Sequence, residues 1–196
     1  MNHRLMPYFF LKEKSALNTH VRKLVMAAMC LALALVLPFL SGQIPEIGAA
    51  LSPMHIPAFL CGFLCGPWWG LAVGAVAPLL RHMLFSMPPL PVAIPMAFEL
   101  AVYGFTAGWM YRLLPKKIPY IYVSLIGSMI AGRVVWGVVK MILSVAQSTE
   151  FTFAAFLAGA ITGAIPGIIC HILLVPIIVI ALRQAKLIPE EKIIKL

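Results

Sequence analysis

Apolar residues come in long unbroken runs separated by short polar or basic interruptions, and the lengths of those runs predict the elements. Strict alternation of apolar and polar positions, the mark of a membrane barrel, is not the pattern here, so each run is read as helix. The run at 24–40 follows a polar, basic start and is long enough for a first membrane helix. From 47 to 80 there is no Asp, Glu, Lys or Arg. That stretch is too long for one upright helix and short for two full ones. The break at Cys65-Gly66-Pro67 therefore predicts two shortened helices joined by a tight turn near Gly66. Beyond a Pro-rich connector at 87–91, helices are predicted at 92–114 and 119–145, the first stopped by Pro115 with Lys116 and Lys117. The last run, 151–182, exceeds the hydrocarbon core at about 1.5 Å per residue, so it tilts, kinks or starts along the interface. Pro166 with Gly167 is the expected bend.

Composition agrees with lipid as the solvent: 62% of the 196 residues are hydrophobic and 11% charged. The expectation is a single membrane domain over 1–196, with basic tails at 1–22 and 183–196. A cleaved signal peptide is disfavoured, because no small-x-small pattern closes the first run and further spans follow it.

Charge then sets orientation. Lys and Arg concentrate in cytoplasmic segments. Here the amino-terminal tail holds Arg4, Lys12, Lys14, Arg22 and Lys23, the connector after the fourth helix Arg112, Lys116 and Lys117, and the carboxy-terminal tail Arg183, Lys186, Lys192 and Lys195. These are twelve of the 15 basic residues, and the opposite loops at 41–54 and 146–152 have none. The fold class that satisfies this distribution is an all-α integral membrane protein, a compact bundle of six transmembrane helices with both termini cytoplasmic. The net charge of +9 is thereby topology, with no need for nucleic acid.

Glycines recur every four residues at Gly62, Gly66, Gly70 and Gly74, at Gly104 and Gly108, and at Gly159, Gly163 and Gly167. Such spacing lets helix backbones approach closely inside a small bundle. Ala28 and Ala32 form a further small-residue stripe on the first helix that could face a partner protein. The four cysteines, Cys30, Cys61, Cys65 and Cys170, lie in apolar segments without zinc or disulfide spacing and read as buried small hydrophobes.

Four ionisable residues inside the apolar runs, Arg81, Glu99, Arg133 and Lys140, are the candidate chemistry, since an intramembrane charge faces a polar cavity or a partner group. With the orientation above, all four fall in the outer half of the bilayer, which predicts a cavity open to the outside. Arg133 is mid-span with no short route to water and shares a helical face with Trp136 and Lys140. Tyr103 follows Glu99 by one helical turn, and His55, just before the second helix, could line the same mouth. Two structural alternatives stand beside the ligand-site reading: Arg81 with Glu99 as an ion pair between helices, and Lys140 snorkelling to the interface. His171, on the cytoplasmic side of Pro166, reads as a helix-packing histidine; His82 points elsewhere. The chain has no aspartate and no nucleotide-binding, zinc-protease or serine-hydrolase motif, so no enzyme activity, cofactor or metal is expected. Uphill transport would draw on a partner or an ion.

The basic tail, the six predicted helices, the Ala28/Ala32 stripe, the segment Met54-His55-Ile56-Pro57-Ala58-Phe59-Leu60-Cys61-Gly62-Phe63 and the run Pro95-Met96-Ala97-Phe98-Glu99-Leu100-Ala101 resemble the substrate-binding S component of energy-coupling-factor (ECF) vitamin transporters. The resemblance implies a prokaryotic plasma-membrane subunit that captures a vitamin from outside and docks through Ala28 and Ala32 on a transmembrane coupling protein carrying two cytoplasmic ATPases. It leaves the substrate open. The three basic groups suit a carboxylate such as pantothenate; Trp136 with Glu99 suits pyridoxine or a pyrimidine. A different class of reading is a self-sufficient, proton-coupled secondary carrier using Glu99.

Overall fold

The computed structural model describes residues 6–41, 51–147, 152–160 and 162–185. Among them every regular element is helical: α1 Met6–Val36, α2 His55–Cys65, α3 Pro67–Phe85, α4 Leu90–Leu113, α5 Ile118–Ala146, α6 Phe153–Ala160 and α7 Ile165–Gln184, with single 3-10 turns at Leu37–Ser41 and Thr162–Ala164. Five helical stretches are long and apolar enough to cross a membrane: Thr19–Phe39, from α1 into the 3-10 turn that follows it, and α3, α4, α5 and α7. α2 is shorter, at 11 residues, about 16 Å of axial rise. The loop residues 42–50 and 148–151, Arg4, and the tail with Lys186, Lys192 and Lys195 lie outside the described residues.

α2 is the centre of the bundle. All 11 of its residues are buried, and it packs against α1, α3, α4 and α7. Glycine makes this possible. A Cβ added at Gly62 or Gly70 would strike the carbonyl oxygen of Gly104, one at Gly104 the carbonyl of Gly70, and one at Gly74 the carbonyl of Leu100, all well inside 3.0 Å. The backbones of α2, α3 and α4 therefore touch directly, the use of small residues that lipid-embedded bundles depend on. Gly66 makes the predicted turn: its φ of +101° is left-handed territory open to glycine, its N–H closes on the Gly62 carbonyl at 3.1 Å, and Pro67 starts α3.

The basic segment ahead of the first span is helical from Met6 and continuous with α1, because hydropathy marks the membrane and not the end of a helix. Two expectations are corrected. The last apolar run is divided before Pro166, not bent at it: Pro166 sits in the first turn of α7, where its missing N–H costs nothing. Gly159, Gly163 and Gly167 consequently fall in α6, in the 3-10 turn and in α7, and form no common stripe.

The core is formed by Phe59, Tyr103, Ile121, Leu125, Val175 and Val179 with their neighbours. Large apolar side chains also cover the outside, including Met29 and Leu33 of α1, Met83 of α3, Ile130 and Ile142 of α5, and Ile169 and Leu173 of α7. That inversion is the expected one for helices solvated by lipid. Cys30, Cys61 and Cys65 are buried free thiols, and Cys170 is a partly buried one.

Candidate ligand site

Four helices bring polar side chains to one point in this apolar interior. α4 contributes Glu99 and, one turn on, Tyr103; α2 contributes His55 and Phe59, also one turn apart; α5 contributes Arg133 and Trp136; α7 contributes His171. The Tyr103 hydroxyl donates to Glu99 Oε1 at 2.6 Å, and Arg133 Nη1 lies 3.0 Å from the same oxygen. His55 Nε2 stands 3.7 Å from Glu99 Oε2, beyond hydrogen-bond range. Glu99 and His55 are each 2% exposed, whereas the Arg133 side chain is 20% exposed. A buried carboxylate is tolerated only when paired and hydrogen-bonded, and Arg133 with Tyr103 meets that condition.

The aromatic rings order the cluster. Tyr103 stacks on Phe59 at 4.6 Å between centroids, His55 on His171 at 5.6 Å, and Trp136 faces Phe156 of α6 at 6.2 Å with the Arg133 guanidinium 5.9 Å from the indole. His171 Nε2 donates to the Ser52 carbonyl at 3.2 Å, and the same carbonyl accepts the backbone N–H of His55 at 3.0 Å, so α7 is tied to the start of α2. Both ring nitrogens of His55 are buried without a hydrogen-bond partner. Gly132 leaves room for the Tyr103 ring; a Cβ there would overlap Cδ1 and Cε1 and lie 3.1 Å from the Glu99 carbonyl.

A family model described as "ECF transporter, substrate-specific component" matches residues 22–179. The chain belongs to that family. No curated protein and no solved structure matches it. As an ECF substrate-specific component it is a multi-pass membrane protein of transport, and the cluster around Glu99 is the polar centre of a substrate-binding subunit.

Of the residues singled out in the sequence, Glu99, Tyr103, His55, Arg133 and Trp136 come together in this ECF component. Arg81 does not join them. It is 3% exposed near the end of α3, donates to the Leu35 carbonyl of α1, and has its guanidinium 4.8 Å from the Phe39 ring and 5.3 Å from the Phe85 ring. The cation paired with Glu99 is Arg133. Lys140 lies about two turns beyond Arg133 on α5 and is partly exposed. Ala28 and Ala32 are exposed on α1 beside Leu24, Val25, Met29 and Leu33, while Ala27, Cys30 and Ala34 face the core. His82 Nδ1 meets the Pro88 carbonyl at 2.8 Å, away from the cluster.

Sequence reasoning passed over Phe59, Ser52 and Phe156, and read His171 as a packing histidine apart from the cluster. Phe59 was legible as the residue one turn after His55. His171 was displaced by reading Pro166 as a mid-helix bend; with Pro166 in the first turn, His171 is in the second turn of α7, level with His55.

Proposed function

We propose that this subunit captures a small water-soluble vitamin or vitamin precursor from the outer face of the membrane and delivers it inward when docked on an ECF coupling protein with two ATPases. The observation that carries the reading is the largely buried cluster of Glu99, Tyr103, Arg133 and His55. A polar centre this deep in an apolar bundle, with neither nitrogen of the buried His55 ring hydrogen-bonded, is what selective capture of a small polar molecule requires. Arg133 and Trp136, the more exposed members, form its mouth; Glu99, Tyr103 and His55 form its floor, and Lys140 lies on the outward path. Arg81 holds α1 to α3. The topology proposed is six membrane segments, α2 being the short one and α6 joining α5 to α7, with both termini in the cytoplasm on the positive-inside distribution. The lipid-facing stripe of Ala28 and Ala32 is the contact for the coupling protein.

Purified protein is expected to retain a small molecule identifiable by mass spectrometry, and Arg133→Ala to abolish its binding. Unchanged tight binding in that variant would sink the site. Gradient-driven uptake in liposomes without a coupling module would instead favour a carrier working through Glu99.

A further inference from the structure

The geometry points to a substrate class: an uncharged nitrogen heteroaromatic ring carrying an amino donor, taken in preference to any carboxylate of the same size. This deepens the capture reading and rests on it. Charge is the first reason. The cations that made an anionic ligand attractive are dispersed, Arg81 to the Leu35 carbonyl between two phenylalanines and Lys140 about two turns away along α5. Arg133, the one Arg or Lys in contact with the cluster among the described residues, is already neutralised by Glu99 at 3.0 Å. An incoming carboxylate would therefore meet a pair of zero net charge and would have to sit beside Glu99 or displace it, both unfavourable where water is excluded.

Unused hydrogen-bonding capacity is the second reason. Glu99 Oε1 is occupied by Tyr103 and Arg133, while Oε2 faces His55 at 3.7 Å, and neither His55 nitrogen has a partner. A neutral imidazole offers one donor and one acceptor. Buried groups of this kind call for a missing partner. An atom placed about 2.8 Å from both Oε2 and Nε2 fits a separation of 3.7 Å and needs hydrogens to give, which an amino group has and a carboxylate lacks. The third reason is shape: the mouth beside Arg133 is framed by the Trp136 and Phe156 rings, inclined at 30° to one another, which suits a planar ligand.

Three matched probes test this by isothermal titration calorimetry on the intact protein in detergent: 4-amino-2-methylpyrimidine carrying a 5-hydroxymethyl group, the same ring carrying a 5-carboxylate, and the 4-oxo analogue of the first. The neutral aminopyrimidine is expected to bind at least about 100-fold tighter than the carboxylate and about tenfold tighter than the 4-oxo compound, as for a site whose buried groups an analogue leaves unpaired. Glu99→Gln should shrink the amino-over-oxo preference to a few-fold. Equal or tighter binding of the carboxylate overturns the inference, as does an amino-over-oxo preference untouched in Glu99→Gln. Binding of none of the three also overturns it: a retained small molecule of another class then leaves the capture reading standing, whereas no retained molecule defeats both. The wild-type comparison stands even if the variant fails to fold.

Discussion

Gly132→Ala isolates the packing that holds the Tyr103 hydroxyl on Glu99. The added methyl would overlap Cδ1 and Cε1 of a ring that is 1% exposed and backed by Phe59 at 4.6 Å. Tyr103 cannot yield without moving its hydroxyl off Oε1, now at 2.6 Å. Overpacking of this kind costs about 1–3 kcal/mol. Losing a hydrogen bond to a charged group adds about 1.5–3 kcal/mol, and the better helix propensity of alanine returns about 1 kcal/mol. The net, about 1.5–5 kcal/mol, lowers the unfolding midpoint by roughly 3–20 °C for a chain of this size. Gly127→Ala on the same helix is the control, because its added Cβ would meet the flexible end of Met110, at 2.8 Å from Cε and 2.9 Å from Sδ. It should stay within about 1 kcal/mol of wild type. Thermal unfolding followed by tryptophan fluorescence reads both. The penalty should also shrink when Tyr103 is replaced by Leu, since the two positions share one contact. If Gly132→Ala melts with the Gly127 control, or its penalty is the same in the Tyr103→Leu background, the packing argument is wrong.

Arg133→Met should cost about 3–5 kcal/mol by stranding Glu99, and the double variant with Glu99→Gln should recover most of it, read as unfolding midpoints. Arg81→Met gives up its hydrogen bond to the Leu35 carbonyl and the ring contacts with Phe39 and Phe85, an expected loss of about 1–3 kcal/mol; ligand affinity should stay within a few-fold, and a parallel fall in affinity would return Arg81 to the site. Gly104→Ala puts a methyl against the Gly70 backbone, which cannot rotate away, so the monodisperse peak in gel filtration should be lost. Gly163→Ala, whose nearest neighbour is the Ala158 carbonyl at 3.3 Å, should keep that peak. Ala28→Trp and Ala32→Trp should leave ligand binding intact while abolishing uptake by cells carrying the coupling module; uptake at the wild-type rate would remove the docking face.

The local breaks of the fold were legible wherever one residue leaves a single choice. Gly66-Pro67 can neither continue a helix nor start one without a turn, and the structure breaks there. Pro166 allows two readings, a kink within a helix or the first turn of a new one. Only the packing of α7 against α2 selects the second, which brings His171 level with His55. The start of α1 was not legible, for another reason. Apolarity locates the lipid boundary near Thr19, but Lys and Arg are good helix formers and no breaker stands between Pro7 and Pro38, so the helix runs on through polar sequence.

The partner of Glu99 was the harder question, yet the sequence held a usable signal. The two glycine stripes set the register of the antiparallel pair α3 and α4, with Gly70 against Gly104 and Gly74 against Leu100. Carried forward, that register puts Arg81 level with Ala93, six residues or about 9 Å along the axis from Glu99. An arginine so displaced cannot serve the carboxylate and must find its acceptor elsewhere, as it does at Leu35. On the other side of α4, Gly132 abuts Tyr103 and the Glu99 carbonyl, which fixes the next residue, Arg133, at the height of the acid. Small residues thus decide which charges meet: they determine how far one helix slides along another, and a pairing that hydropathy and charge leave open is closed by where a side chain is missing.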